Sequence, residues 1–144
     1  MKKLVLFIGA VMAVGSAAMA QLGAPKITVK DTLVVTNCLY NGAELALADW
    51  PAAMLVEDAV QIQIADFVYR KGKPTYQDIY SYNSSWGGHI DYFHYSATCN
   101  GKNSDIVIVK PRKDCDTQVY GKYIVDDYEF YVMKKEDFLK MLVE

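Results

Sequence analysis

The sequence predicts an α+β domain: a mostly antiparallel sheet of about five to seven strands, a short helix after Cys38 and an amphipathic helix at the C-terminus. Three observations carry this. Apolar and polar residues alternate through the middle of the chain, most strictly over Val60-Gln61-Ile62-Gln63-Ile64, the period of a strand with one buried face. Tyrosine is abundant, eleven residues in 144, and it suits strands because its ring packs while its hydroxyl stays wet. The closing segment, KKEDFLKMLVE, changes period, so that Phe138, Leu139 and Leu142 share one helical face opposite lysines and acids.

Residues 1–20, MKKLVLFIGAVMAVGSAAMA, read as a cleaved secretory signal peptide: Lys2 and Lys3, an apolar run from Leu4 to Val14, and the small-x-small site Ala18-Met19-Ala20. The run is too short for a membrane anchor. Cleavage leaves residues 21–144 as a single globular domain, with no cysteine at Gln21 to take a lipid. The two-lysine start has a bacterial look, and the expected destination is periplasmic or secreted. No later stretch approaches the roughly 20 apolar residues of a membrane helix, so no membrane insertion is expected after signal cleavage.

The strands follow in order. KITVKDTLVVT is rich in β-branched residues and reads as a strand, ended by the turn formers Asn37, Asn41 and Gly42. AELALADW has helix formers and is closed by Pro51. AAMLVEDA fits either a second short helix or a strand. VQIQIADFVYRKGK reads as one strand, with a bulge near Ala65-Asp66 where the alternation changes parity. TYQDIYSY sets Tyr76, Asp78, Tyr80 and Tyr82 on one face, NSSWGG is a loop, and HIDYFHYSAT is the next strand. Asn100-Gly101 marks a hairpin, DIVIVK a short apolar strand, and Asp126-Asp127 a turn between two more strands.

The formal net charge is −2 and grows more acidic once Lys2 and Lys3 leave. General nucleic-acid binding needs a basic surface and is excluded on that ground. No phosphate-cradling glycine loop and no GxSxG elbow occurs. The acidic pairs Asp114/Asp116 and Asp126/Asp127 lack the spacing of a calcium loop, so no cofactor or metal is expected.

GGHIDYFHY, residues 87–95, holds both histidines of the chain. His89 and His94 are five apart, on opposite sides of a strand, so they do not chelate one metal together. His89 and Asp91 share a face. The flexible Gly87-Gly88 entry makes His89 the better site candidate. Its partner would be Cys38, placed before the expected helix, whose N-terminus would favour a thiolate. NCLYNGAELALADW, with GGHIDYF further along, resembles the local layout of bacterial cell-wall amidases of the CHAP and papain-like kind. The resemblance covers these two short pieces. It implies a cysteine hydrolase in which Cys38 attacks, His89 is the base and Asp105 (or Asn103) orients it.

Three cysteines in an exported chain cannot all pair within a monomer. Cys99 and Cys115 flank DIVIVK, and a disulfide between them is expected, leaving Cys38 free. The leading functional expectation is a small exported binding domain without catalysis. It would use Trp86, Tyr80 and Tyr82 to take a protein, peptide or glycan. The alternatives are the cysteine hydrolase, and an inhibitor or immunity protein for a secreted enzyme.

Overall fold

Neighbouring strand-forming stretches pair one after another until the last meets the first. The computed structural model describes residues 30–143, so the expected signal peptide lies outside the described residues. Among those described, ten strands run in chain order. They are β1 (Asp31–Tyr40), β2 (Ala43–Glu44), β3 (Met54–Glu57), β4 (Gln61–Ile64), β5 (Phe67–Arg70), β6 (Tyr76–Asn83), β7 (Gly88–Cys99), β8 (Lys102–Pro111), β9 (Gly121–Val125) and β10 (Tyr128–Lys134). One helix, α1 (Lys135–Val143), follows. The pairing order β1-β3-β4-β5-β7-β8-β9-β10 is antiparallel throughout and closes because β10 pairs back onto β1. The fold is therefore a mostly-β, eight-stranded closed barrel with two extra strands and a C-terminal helix. This corrects the expected α+β sheet of five to seven strands.

Two local departures account for part of the difference; the closure itself comes from β10 pairing with β1. Ala65 takes φ 54° and with Asp66 turns the chain back, so the expected bulge is a tight hairpin and one predicted strand is two, β4 and β5. The helix expected after Cys38 does not form. Asn41-Gly42 and Pro51 leave too few residues to repay helix nucleation, and Ala46 offers no side-chain cap. A single 3-10 turn, Leu47–Asp49, remains, with the Trp50 indole donating to the Leu45 carbonyl at 3.0 Å. Cys38 lies inside β1 rather than ahead of a helix. AAMLVEDA becomes β3.

The barrel interior is filled by alternate residues of each strand, among them Leu33, Val35, Leu55, Ile62, Ile106, Ile108 and Phe130. Cys38 also points inward, although it is three residues from Val35. A register shift between Val35 and Asn37 resets the alternation there. Val34, Met54 and Met133 point outward, and α1 covers them with Phe138. Burying that ring contributes about 1.5–3 kcal/mol. Glu136 and Asp137 in the first turn of α1 and Lys140 in the last agree with the helix dipole.

One end of the barrel is closed by charge rather than by oil. Glu57 and Lys71 are 6% and 7% exposed, and their side chains meet at 2.7 Å. The Tyr123 hydroxyl donates to the other Glu57 oxygen, and Lys110 stands 3.9 Å from that same oxygen. The Lys71 ammonium lies 5.0 Å from the Tyr95 ring centre. Burial, and then the Glu57 charge, hold the Tyr123 hydroxyl far above the ordinary tyrosine range. Among the described residues no buried side-chain polar atom lacks a partner.

The ladder between β5 and β7 has a single register pair, Arg70 opposite Thr98. Further along the same edge of β7, β6 takes over and pairs with Gly88 to His94. β6, the first part of β7 and the last part of β8 thus form a three-stranded ribbon continuous with the barrel wall.

Candidate functional site

The ribbon explains the Gly87-Gly88 pair. Gly87 takes φ +67°, and a Cβ on Gly88 would stand 2.7 Å from the backbone of Asp114 and Cys115. Only a glycine lets the β8–β9 loop lie this close to the start of β7. That contact brings Asp114 onto His89. Its Oδ1 accepts the His89 backbone N–H at 2.9 Å, and its Oδ2 lies 2.6 Å from the His89 Nδ1. The His89 side-chain hydrogen bond, above all, holds the Asp114 carboxyl below its ordinary value. The His89 carbonyl in turn accepts the Arg112 N–H at 2.8 Å and the Cys115 thiol at 3.1 Å.

Two tyrosines complete the site. β6 has a register break between Asp78 and Ser81, where Tyr80 takes φ 66°, a strained conformation for a bulky residue. Its N–H donates to Asp91 at 3.0 Å, and its ring centre lies 4.2 Å from that of His89. Tyr82 meets the imidazole edge-on at 5.4 Å. Arg112 Nε donates to Asp91 at 2.9 Å, with its guanidinium carbon 4.9 Å from the Tyr80 ring centre. Tyr80, Pro111, Arg112, Lys113 and Asp114 border an open cavity of about 430 Å³. Tyr80 and Tyr82 are 54% and 65% exposed. With Nδ1 bonded to a carboxylate, the imidazole carries a proton there and leaves Nε2 as its second polar atom. Arg112 is ion-paired with Asp91, and Lys113 borders the cavity together with Asp114, so the formal charges of these four side chains balance. The surface therefore offers aromatic faces and oriented hydrogen-bonding groups with little net field.

The other predicted residues are scattered. The register break puts Tyr82 opposite His89, on the other side of the ribbon from Tyr76 and Asp78, which pair with His94 and Tyr92. Trp86 is half-buried, its backbone N–H donating to Asn83 Oδ1 at 3.0 Å. It lines a different cavity, of about 370 Å³, with Ile90, Tyr92, Val109 and Tyr131. Cys38 is wholly buried in the barrel, and burial pushes its thiol up to about 11. No hydrogen bond joins it to His89 among the described residues. Asp105 sits 3.3 Å from Nε2 of His94, not beside His89. Cys99 ends β7, whereas Cys115 contacts the start of that strand. Ten residues of extended chain, roughly 33 Å, separate His89 from Cys99, and a bridge needs Cα atoms within about 7 Å. All three cysteines are free, so the expected Cys99–Cys115 disulfide is not formed. Among the described residues no group of three or more His, Cys, Asp or Glu is arranged to hold a metal ion, and no helix is long and apolar enough to cross a membrane.

Sequence reasoning missed Asp114 as the partner of His89. The available signal was the double glycine, which marks close backbone approach as well as flexibility. Comparison with protein-family models, with curated proteins and with solved structures finds no match to this chain.

Proposed function

We propose that the protein is a small exported binding protein without catalysis, and that the face around His89 is its recognition surface, taking a neutral glycan. The observation that carries this reading is the histidine held by Asp114 beside two exposed tyrosine rings. A sugar has an apolar C–H face, which packs on tyrosine, and a rim of hydroxyls, which needs oriented donors and acceptors. Asp91, Arg112, His89 and Asp114 supply those groups already positioned. The balance of Arg112 and Lys113 against Asp91 and Asp114 favours an uncharged ligand over an anion or a cation. The strained Tyr80 backbone supports a surface built for contact, since such strain concentrates at ligand sites. A cysteine hydrolase is not the reading taken, because it would need a thiolate on Cys38, whose sulfur is wholly buried.

The test is a titration of the folded protein with cellohexaose and chitohexaose, followed by amide and side-chain NMR shifts. Shifts are expected at Tyr80, Tyr82 and His89. The Tyr82→Ala variant should lose about tenfold in affinity, about 1.4 kcal/mol. If neutral sugars leave these residues unmoved while an immobilised peptide or a secreted enzyme is captured through the same tyrosines, the glycan assignment is wrong. The inhibitor reading would then take its place.

A further inference from the structure

We infer that the end of the barrel opposite the Glu57–Lys71 pair is a second binding site, for a small organic cation of the quaternary-ammonium kind. Two hairpins build it. Phe67 pairs with Ile64 across the β4–β5 turn, and Tyr128 pairs with Val125 across the β9–β10 turn. In the barrel order these hairpins stand on different walls of the mouth. Between them lies a cavity of about 260 Å³, whose wall includes Pro51, Phe67, Tyr69, Tyr128, Phe130 and Asp126. This is just below the roughly 300–1,000 Å³ of ordinary small-molecule pockets, so the occupant is small.

The wall chemistry selects the charge of that occupant. Four aromatic rings line the cavity, and an aromatic face attracts a cation through its quadrupole. Tyr128 stands 6.1 Å from Phe130 in a stacked pair and 4.7 Å from Tyr40, so its ring is held in place. Asp126 carries the only formal charge among the lining residues. Its carboxylate makes no hydrogen bond or ion pair with the described residues. The Tyr69 hydroxyl is held above its ordinary value by burial first and then by Cys99 and Asp126, consistent with a negative local field. An anion would be repelled, and a neutral apolar ligand would draw nothing from the carboxylate. A quaternary ammonium uses both features: its methyl groups bury against the rings, and its charge meets Asp126.

Isothermal titration of the protein with choline, and with its neutral carbon isostere 3,3-dimethyl-1-butanol, tests this. Choline should bind at least tenfold more tightly than the alcohol. Asp126→Asn keeps a residue that tolerates the left-handed turn, and Phe67→Leu keeps the pocket apolar without a π face. Each should weaken choline about tenfold with an unchanged circular-dichroism spectrum. Tyr82→Ala, on the ribbon, should leave choline binding as it is, which separates this site from the proposed glycan surface. Equal affinity for the two probes, no heat with millimolar choline, or choline binding untouched by both mouth variants would each overturn the assignment.

Discussion

Replacing Lys71 with methionine would strand a carboxylate inside the barrel. Glu57 is 6% exposed and its Oε2 lies 2.7 Å from the Lys71 ammonium. At an effective dielectric of about 20, that contact is worth about 6 kcal/mol of attraction, most of which offsets the cost of taking two charges out of water. Removing one partner abolishes the offset but not the cost of the survivor, typically about 3–5 kcal/mol. Two groups soften the loss: Tyr123 still donates to Oε1, and Lys110 stands 3.9 Å away. The expected destabilisation is therefore near the lower bound, about 3 kcal/mol, or about 10 °C in Tm for a domain of this size. Methionine keeps the aliphatic stem against Tyr95, so lost packing contributes little. The double variant Glu57→Gln/Lys71→Met removes both charges and should recover to within about 1 kcal/mol of the parent. Urea unfolding followed by tryptophan fluorescence measures all three proteins. A single variant costing under about 1 kcal/mol, or a double variant no more stable than the single, would refute the claim that a desolvated ion pair closes this end.

Three further outcomes are expected. Gly88→Ala would push a methyl to 2.7 Å from the Asp114–Cys115 backbone, costing about 1–3 kcal/mol; NMR should show the His89 ring released from Asp114, and an unshifted His89 would contradict the packing argument. Because the Asp114 carboxyl is held below its ordinary value in the folded protein, its contribution is complete above the ordinary carboxylate range and lost as pH falls through the lowered value. Asp114→Asn should flatten that acid limb of a urea-midpoint profile, and a profile identical to the parent's would count against the contact. The Cys38 thiol, buried and pushed up to about 11, should resist iodoacetamide at neutral pH until the protein is unfolded, while half-exposed Cys115 reacts first; mass spectrometry of the labelled peptides decides.

Much of the local structure was legible because it depends on neighbours a few positions away. The Asn100-Gly101 hairpin forms with both residues at positive φ, as two-residue turns require. Asp126-Asp127 turns between β9 and β10. The C-terminal period becomes α1 with Phe138 inward. The errors lie where one residue type serves two backbones. Ala65 has no turn signature yet adopts φ 54°, because the pairing of Gln61–Ile64 with Phe67–Arg70 over-determines it. The helix formers of AELALADW were overridden by length.

The face around His89 was half legible. The sequence put His89 in one expected site with Cys38 and Asp105, and Tyr80 and Tyr82 in another with Trp86; the fold instead sets His89 beside the two tyrosines and away from Cys38 and Asp105. A strand alternates its side chains, which is a short-range rule visible in the chain itself. Which loop reaches that strand is a long-range fact: Asp114 lies 25 positions from His89. Closure is the same kind of fact, since Thr36 and Tyr131, 95 positions apart, hydrogen-bond where β1 meets β10. Periodicity and turn chemistry thus mark most of the strands and those hairpins that carry a turn signature, such as Asn100-Gly101 and Asp126-Asp127. Whether the sheet closes, which acid meets which base inside it, and which aromatic rings share a cavity depend on strands meeting across the whole chain. Those encounters are decided by burial and register, which exist only once the barrel has formed.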